Sequence, residues 1–418
     1  MTRSAQVDEA RDRALSIFRA GVRAADPARA VERSLAERPL PPGRVTLVAF
    51  GKAAPRMATA AMHALGAPPA RALVVTNDEN LAEVPGAELF AAGHPVPDAR
   101  GAAAAEAVLA ALHGLGERDQ VLALVSGGGS ALLPAPAAGL TLADKAEVNR
   151  LLLASGADIS EMNLVRQQLS RLKGGGMLRA AAPAAVTALI LSDVIGDDTR
   201  AIASGPTAAP LGTREQARAA LEARGLWQAL PEAVRQHLER DEAAPLPSLG
   251  SADNRLVGSN RLSVEAMAAE AGDAARIGSL ALCGDVASAA EEVARAWHAG
   301  PGITLFGGET TVIVRGKGQG GRNQELALRL ALLAERQGWP ADWCFLQAGS
   351  DGRDGPTDAA GGLVDGGTAA RIRAAGLDPE ARLAANDSLP ALDAAGDLLR
   401  TGGTGTNVAD LGVLIRLS

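Results

Sequence analysis

Apolar runs that end near glycine alternate along the chain with Ala- and Leu-rich segments of helical period. Six of these runs predict strands, at 44–50, 71–77, 120–126, 185–193, 303–308 and 343–350. Five of the segments predict helices, at 55–65, 99–112, 142–155, 161–168 and 323–337. Strands that are apolar at nearly every position are typical of parallel sheets covered by helices on both faces. The pattern therefore predicts a doubly wound α/β fold, in which ligands bind beyond the C-terminal ends of the strands.

One stretch breaks this alternation, near residues 228–256. It mixes charged residues with three prolines and lacks strand periodicity, which predicts a linker at 236–256. An N-terminal α/β domain at 1–235 and a C-terminal domain at 257–418 follow from that linker. A length of 418 residues suits two or three domains of about 150 residues. The first 31 residues predict an amphipathic helix without the apolar core of a signal peptide.

Composition excludes several classes of function. The chain has no tyrosine, which excludes a Tyr–Lys dehydrogenase dyad. A net charge of −7 without any basic run makes nucleic acid and anionic membrane surfaces poor partners. Two cysteines without a CxxC pair indicate neither disulfides nor structural zinc and suit the reducing cytoplasm. No apolar segment reaches the roughly 18 residues of a membrane span.

Lysine is rare among the basic residues. Only four of the 41 Lys and Arg residues are lysines, and three of them, Lys52, Lys173 and Lys317, lie beside glycine. In a chain that otherwise uses arginine, this placement indicates positions that need a compact ammonium group, with chance as the alternative. The fourth, Lys145, falls within a predicted helix and is interpreted as solvated.

The glycine-rich turns after the strands are the main candidates for chemistry. Lys52 follows Gly51 at a strand end and opens a helix, where backbone N–H groups and an ammonium suit an anion, although a solvated lysine fits the same position. The turn Ser126–Ser130 carries three consecutive glycines, Gly127, Gly128 and Gly129, which let the backbone approach a phosphate closely. Ser130 is placed to be a helix N-cap, so its hydroxyl has a structural alternative.

Further candidates lie in the other loops. Asp193 ends a predicted strand, where a carboxylate can engage Mg²⁺ or a substrate hydroxyl, and Asp351 occupies the same kind of position after a later strand. Arg322 begins a helix after a glycine-rich loop that resembles an anion site. The remaining candidates in loops are Lys173, Glu309 and Asn407.

Two groups of side chains have mainly structural explanations. His94 lies in "GHPVPD", where two prolines stiffen the chain, and a structural hydrogen bond is favoured over a role in the site. The adjacent acids Asp197 and Asp198 are expected to shape a turn.

Glycine-rich anion loops, isolated Lys and Arg residues and strand-terminal Asp residues together favour phosphoryl transfer. In that reaction, positioning and charge neutralisation provide most of the catalysis. A dinucleotide-binding reductase would instead carry G-x-G-x-x-G after its first strand. Here the first strand leads to "GKAAPRMA", which does not fit that fingerprint.

Long motifs across nearly the whole chain resemble the glycerate 2-kinase family, in the family's order. They are "AFGKAAPRMA", "GHPVPD", "SGGGSALL", "RLKGGG", "LSDVIGDD", "IASGPT", "GGETTV", "GQGGRNQELAL", "AGSDGRDGPTDAAGG" and "TGTNVADL". The resemblance implies a large N-terminal Rossmann-like domain and a smaller C-terminal MOFRL domain, both α/β/α, with the active site in a cleft between them. It also implies ATP-dependent phosphorylation of D-glycerate at O2.

Carried onto this sequence, the resemblance implies that Lys52, Asp193 and Arg322 are the central catalytic or substrate-binding residues. We expect Lys52 to neutralise the transferred phosphoryl group, Arg322 to hold the glycerate carboxylate and Asp193 to orient the attacking hydroxyl, and the first two roles are open to exchange.

The expected cofactors are ATP and Mg²⁺. The nucleotide is assigned to Ser126–Ser130, Lys173, Glu309 and Asn407, and the metal to Asp193 and Asp351.

Two alternative functions stay open. Members of this family are often labelled hydroxypyruvate reductases, so one alternative is an NAD(P)H-dependent oxidoreductase. The other is a non-catalytic anion-binding protein. The sequence allows a monomer or a homodimer.

Overall fold

A computed structural model of the chain describes residues 4–240, 252–273 and 275–418. The chain forms two compact units. The N-terminal unit comprises Pro27–Ser192 and Asp197–Val257, and the C-terminal unit comprises Met1–Asp26, Asp193–Gly196 and Gly258–Ser418. No helix in the described ranges is long and apolar enough to cross a membrane.

The division differs from the predicted one at the chain's start. Helix α1 (Ala5–Ala24) belongs to the C-terminal unit. The predicted amphipathic segment is also two helices, because Pro27 begins helix α2 (Pro27–Glu37) and cannot continue the preceding one.

Regular structure occupies both ends of the predicted linker at 236–256. Its first residues belong to a helix, Glu232–Glu239, and its last to a strand, Asp253–Gly258. The central part, 241–251, lies outside the described residues.

The N-terminal unit is built on a six-stranded sheet. Its strands are β1 (Arg44–Phe50), β2 (Arg71–Asn77), β3 (Glu88–Ala92), β4 (Asp119–Val125), β5 (Ala185–Leu191) and β6 (Asp253–Gly258). The strand order is β3-β2-β1-β4-β5-β6, with parallel pairing from β3 through β5. This is the doubly wound order, which reverses between β1 and β4. The prediction of a Rossmann-like sheet is confirmed.

Helices and short turns connect these strands. After α2 the helices are α3 (Ala54–Ala64), α4 (Ala99–Leu112), α5 (Gly129–Leu132), α6 (Leu142–Ala154), α7 (Ile159–Gln168), α8 (Gly176–Ala181), α9 (Arg214–Ala223) and α10 (Glu232–Glu239). Three single 3₁₀ turns lie at Asp78–Asn80, Ile202–Ser204 and Trp227–Ala229. Helices α6, α7, α9 and α10 share an apolar cluster of their own.

The C-terminal unit has a second six-stranded sheet and a two-stranded one. Its strands are β7 (Ala275–Ser279), β8 (Gly284–Asp285), β9 (Gly302–Gly308), β10 (Thr310–Thr311), β11 (Trp343–Gly349), β12 (Gly361–Asp365), β13 (Leu398–Leu399) and β14 (Asp410–Arg416). The large sheet has the order β13-β12-β11-β14-β9-β7, and β8 pairs with β10. Its helices, besides α1, are α11 (Asn260–Ala271), α12 (Val286–Trp297), α13 (Arg322–Arg336), α14 (Thr368–Ala374), α15 (Pro379–Ala384) and α16 (Ser388–Ala395).

The parallel direction predicted for the strands is wrong for most of this second sheet. Only β7 and β9 pair in parallel, while β11, β12, β13, β14 and β9 pair antiparallel. The strands are apolar throughout because helices cover both faces. Along β11, Trp343 and Phe345 face the cluster with α12 and α13, whereas Cys344 and Leu346 face the cluster with α1 and α11. A continuous apolar run therefore indicates that both faces of a strand are buried, but it does not indicate whether the strand is parallel or antiparallel to its neighbours.

Buried ion pairs fix α1 to the C-terminal unit. Arg11 donates to Asp365 Oδ2 at 2.7 Å and to Asp397 Oδ1 at 3.0 Å. Arg371 donates to the same two carboxylates, at 2.9 and 2.7 Å. Both aspartates are almost fully buried, so removal of a cation leaves a buried negative charge less well compensated.

We predict that Arg11→Met destabilises the C-terminal unit by about 3 kcal/mol, because two buried carboxylates lose a partner. Arg13→Met on the same helix is the matched control, since Arg13 is 44% exposed in its pair with Glu270 and its loss should cost less than about 1 kcal/mol. Urea denaturation followed by tryptophan fluorescence measures both. Equal midpoints for the two variants would contradict the prediction.

Candidate active site

Two of the predicted loops meet at the strand-order reversal of the N-terminal sheet. The Lys52 amide donates to the Gly127 carbonyl at 2.9 Å, and the Ala53 amide donates to Ser126 Oγ at 3.1 Å. The loop after β1 is therefore hydrogen-bonded to the loop after β4. In doubly wound sheets this position is the ligand crevice.

Gly51 allows the two loops to approach. Its φ is +122°, and a Cβ there would lie 2.2 Å from Ser126 Oγ and 2.5 Å from the Ser126 carbonyl oxygen. Ser126 itself is 1% exposed. Its hydroxyl thus holds the loops together, which is a supporting position rather than a contact with ligand.

Lys52, His94 and Gly128 lie together at this edge. A Cβ on Gly128, whose φ is +83°, would lie 3.1 Å from the His94 ring and 3.4 Å from Lys52 Cγ. Burial lowers the pKa of His94, the Lys52 charge lowers it further and Glu79 opposes both. The His94 imidazole is therefore biased towards its neutral form beside the Lys52 side chain.

The sequence favours a structural hydrogen bond for His94, whereas the structure places its ring beside Gly128 of the candidate loops. Strand β3 accounts for the position of His94, and the apolar pattern did not predict that strand. His94 follows the C-terminal end of β3 by two residues, so it reaches the same edge of the sheet as Lys52. The strand was missed because its residues are only partly buried and do not form a full apolar run.

Two of the three glycines at 127–129 have different reasons to be glycine. Gly128 has left-handed backbone, and a Cβ on Gly129 would lie 2.9 Å from the Phe50 ring. The expected helix after them is a single turn, α5, and its N-cap is Gly128. The prediction that Ser130 is the N-cap is therefore wrong.

Ser130 instead joins a chain of polar side chains. Lys173 Nζ donates to Ser130 Oγ at 2.7 Å, and Ser130 Oγ lies 3.0 Å from Ser204 Oγ. Ser204 then donates to Asn163 Oδ1 at 3.0 Å. Lys173, predicted to bind the cofactor, is 6% exposed and reaches this loop through Ser130.

The interpretation of Lys145 as a solvated side chain is wrong. Its ammonium donates to the Leu169 carbonyl at 3.1 Å. Burial, together with the charges of Arg166 and Arg171, lowers the pKa of Lys145 to about 7. Helical spacing did not indicate this, because the acceptor Leu169 lies 24 residues further along the chain.

The acids after β5 separate into different environments. Asp193 follows the buried Ser192 and belongs to the segment Asp193–Gly196 of the C-terminal unit. Asp197 has a φ of +57°, and Asp198 accepts from the Arg200 amide at 2.9 Å. The turn-shaping role predicted for Asp197 and Asp198 fits this backbone.

In the C-terminal unit, two carboxylates hold Arg322. Its Nε and Nη2 donate to Asp410 at 2.7 and 3.0 Å, and its Nη1 lies 2.8 Å from Glu309 Oε1. Burial lowers the pKa of Arg322, but the bonds and charges of Asp410 and Glu309 raise it by more, so the guanidinium stays charged. Glu309, predicted to bind the cofactor, is thus an ion-pair partner here.

Behind Arg322 lies a buried polar cluster that the sequence did not reveal as one unit. Asp354 accepts from the Asn323 and Gln324 amides at 3.1 and 2.8 Å and so caps α13 from a distant loop. Burial raises the pKa of Asp354 to about 6, against the effect of those amides. Burial also raises the pKa of Asp410, which accepts from Asn323 Nδ2 at 3.0 Å. Asp410 lies in the motif "TGTNVADL", in which only Asn407 was a candidate.

The other predicted C-terminal residues make local contacts. Asp351 Oδ1 accepts from the Arg353 amide at 2.9 Å, and Asn407 Oδ1 accepts from the Ala409 amide at 3.1 Å. Across the described part of the chain, no group of three or more His, Cys, Asp or Glu is arranged to hold a metal ion.

Close packing accounts for two glycines of the loop before Arg322, and its interpretation as an anion site stays a prediction. A Cβ at Gly316 would lie 2.1 Å from the Ala385 carbonyl oxygen, and one at Gly318 would lie 2.4 Å from Asp387 Cβ. Asn386 Oδ1 also accepts from the Gly316 amide at 3.0 Å. These glycines let the loop lie against the turn between α15 and α16.

Comparison with known proteins decides the family. A family model described as "Domain of unknown function (DUF4147)" matches residues 13–239, and one described as "MOFRL family" matches residues 302–410. A Thermotoga maritima protein named D-glycerate 2-kinase is 40% identical over 411 residues, covering 95% of this chain and 96% of that protein. This chain belongs to the glycerate kinase family. The resemblance that the motifs indicated is confirmed.

Two further matches complete the comparison within the glycerate kinase family. A crystal structure described as a glycerate kinase from Thermotoga maritima matches with a TM-score of 0.91 at 39% identity, covering 98% of this chain and 100% of that one. An Agrobacterium vitis protein, named provisionally as a hydroxypyruvate reductase, is 42% identical over 414 residues, covering 96% of this chain and 93% of that protein. The predicted fold class is thus confirmed. Both functional names, glycerate kinase and hydroxypyruvate reductase, occur among the relatives of this chain.

We predict that Gly128→Ala lowers ligand binding and activity by at least about tenfold, because its methyl group pushes His94 and Lys52 apart. Gly114→Ala is the matched control: Gly114 has a φ of +80° and open space around it. Both variants share the cost of a left-handed alanine, about 1 kcal/mol. Steady-state kinetics and thermal midpoints measure both effects, and a Gly128→Ala enzyme as active as Gly114→Ala would overturn the placement of this loop.

Proposed function

We propose that the protein is a glycerate 2-kinase, which transfers the γ-phosphoryl group of ATP to O2 of D-glycerate and gives 2-phosphoglycerate. The observation that carries the proposal is Lys52 beside the glycine loop Gly127–Gly129, at the strand-order reversal of a family member's N-terminal sheet. A glycine-rich backbone and one compact ammonium are what phosphoryl transfer requires from a protein.

In this proposal the phosphates of ATP lie against the loop Ser126–Ser130. Gly127 and Gly128 bring the backbone close to the phosphates, and the Ser126 hydroxyl holds the loop through its bond to the Ala53 amide. Lys52 neutralises charge on the transferred phosphoryl group. A point charge on a flexible stem can follow a moving phosphoryl group better than a rigid guanidinium fork. Because its pKa is lowered, the His94 imidazole adds no second positive charge beside Lys52 at neutral pH.

Arg322 is proposed to hold the glycerate carboxylate. A guanidinium has five N–H donors. Asp410 takes two and Glu309 takes one, which leaves one on Nη1 and one on Nη2 for a substrate. The two protein carboxylates thus orient the fork and keep it charged.

Asp193 is proposed to orient the O2 hydroxyl of glycerate and accept its proton. Asp193 and Asp351 would also hold Mg²⁺. One or two carboxylates together with phosphate oxygens suffice for that ion, so the missing three-acid cluster does not conflict with it. When bound, the ion neutralises phosphate charge. Both cysteines are free thiols, as we expect for an enzyme of the cytoplasm acting on small substrates.

The first experiment tests the reaction. We predict that the protein with D-glycerate, ATP and Mg²⁺ gives a product that enolase consumes without a mutase. Consumption of NADH with hydroxypyruvate, with no ADP formed from glycerate, would favour the reductase named among the relatives. Tight binding of ATP or phosphate without turnover would instead favour a non-catalytic anion-binding protein.

The second experiment tests Lys52. Lys52→Arg keeps the positive charge but places a planar fork where the proposal needs a point charge, so we predict at least about a tenfold fall in kcat. The thermal midpoint should stay close to that of the wild type, because Lys52 packs at the sheet edge and makes its backbone bond to Gly127 with any side chain. Wild-type turnover in Lys52→Arg would remove Lys52 from the site.

A further inference from the structure

Three cationic side chains of the N-terminal unit lie near one another without a counter-ion: Lys173 is buried, and Lys145 and Arg166 are half-buried. In this cation cluster of Lys145, Arg166 and Lys173, the charges of Lys145 and Arg166 both lower the pKa of Lys173. Their hydrogen-bond acceptors are neutral: the Leu169 carbonyl for Lys145, Asn149 Oδ1 for Arg166 at 2.9 Å, and Ser130 Oγ for Lys173. Among residues 4–240, 252–273 and 275–418, no carboxylate forms an ion pair with any of the three.

Such a cluster is costly if all three groups are charged. A buried charge is normally paired, and an unpaired one shifts its pKa and becomes neutral. Burial lowers the pKa of Lys173 well below its usual range, and the charges of Lys145 and Arg166 lower it further. Burial also lowers the pKa of Arg166, though an arginine stays protonated. Lys173 is the most deeply buried of the three and bonds only to a hydroxyl, so its charge gains most from a bound anion.

Lys173 is also the member whose amino group contacts the glycine loop. Its Nζ contacts Ser130, which is only half-buried and ends the loop Ser126–Ser130, whereas Lys145 and Arg166 bond to acceptors within the helical layer. An ammonium with three protons can only donate. A protonated Lys173 therefore donates to Ser130 Oγ and leaves the Ser130 hydrogen to point at Ser204 or at a ligand.

We propose that Lys173 is the proton-linked counter-charge of the anion site at Ser126–Ser130: it is neutral in the free enzyme and takes one proton from solvent when nucleotide phosphate binds. This deepens the proposed function and rests on it. Lys173 acts through Ser130 and is a positioning residue, since the hydroxyl and not the ammonium faces the ligand.

The charged groups around Lys173 come from several elements. Lys145, whose own pKa is lowered to about 7, faces it from α6, and the cationic Arg166 faces it from α7. Arg171, two residues away, is already paired with Glu106 at the surface. At the other side of the loop, Lys52 and His94 flank Gly128. All of these groups are cations or neutral bases apart from Glu106, which is paired with Arg171, so a bound phosphate is the negative charge that Lys173 lacks.

The sign of the pH dependence follows. Because the complex holds one proton more than the free enzyme, nucleotide affinity must fall as pH rises above the lowered pKa of free Lys173. Each pH unit in that window costs up to about tenfold in Kd. A hydrogen bond with a purely structural role would give no such slope.

The test is calorimetric titration of the full-length protein with MgADP, without glycerate, at about pH 8.5 in buffers of different ionisation enthalpy. We expect uptake of about one proton in the wild type and none in Lys173→Met, with Kd raised at least about tenfold in the variant. Arg150→Met is the control, because Arg150 is 63% exposed in its pair with Glu147, and it should match the wild type.

If Lys173→Met does not fold, Lys173→Arg replaces it in the same titration. Arginine cannot lose its proton, so this variant should bind MgADP without proton uptake and with a Kd independent of pH. No proton uptake by the wild type, or equal uptake by the wild type and a folded Lys173 variant, would overturn the inference. If the wild type then still makes 2-phosphoglycerate, the inference fails alone. If it binds no nucleotide, the proposed function fails as well.

Discussion

The close approach of two backbone segments at the reversal of strand order underlies the N-terminal site. Strands β1 and β4 lie side by side in parallel, so their C-terminal ends deliver Gly51 and Ser126 to the same point. The absence of a side chain at Gly51 lets the Ser126 hydroxyl reach the Ala53 amide and lets Lys52 bond to Gly127. A single methyl group at Gly51 would separate the loops, and with them the lysine from the glycines.

Charge is organised differently in the two units. In the C-terminal unit every buried cation described above has carboxylate partners, as Arg322 has Asp410 and Arg11 has Asp365. In the N-terminal unit Lys173 is buried with only hydroxyl contact. Paired charges hold a geometry, whereas an unpaired buried cation leaves a charge to be completed by a ligand. This contrast favours the N-terminal unit as the place where phosphate binds.

The sequence predicted four of the six N-terminal strands, β1, β2, β4 and β5, because these are buried runs that end at glycine or polar residues. Strand β2, for example, has the predicted bounds Arg71–Asn77. It could not predict the direction of strands in the second sheet, since β11 is apolar on both sides for reasons of burial alone. The sequence also did not distinguish a glycine-rich loop beside candidate site residues from one whose glycines pack against another turn. Gly128 lies beside Lys52 and His94, whereas Gly316 packs on Ala385. That distinction depends on neighbours that are distant in sequence.

The identity of the phosphorylated oxygen tests the account most directly. We predict that the product made from D-glycerate and ATP shows a ³¹P resonance split into a doublet by the single proton on C2, as expected for 2-phosphoglycerate. A resonance split into a triplet by the two protons on C3 would show transfer to the other hydroxyl. No phosphorylated product at all, from protein that is folded and supplied with Mg²⁺, would contradict the account as a whole.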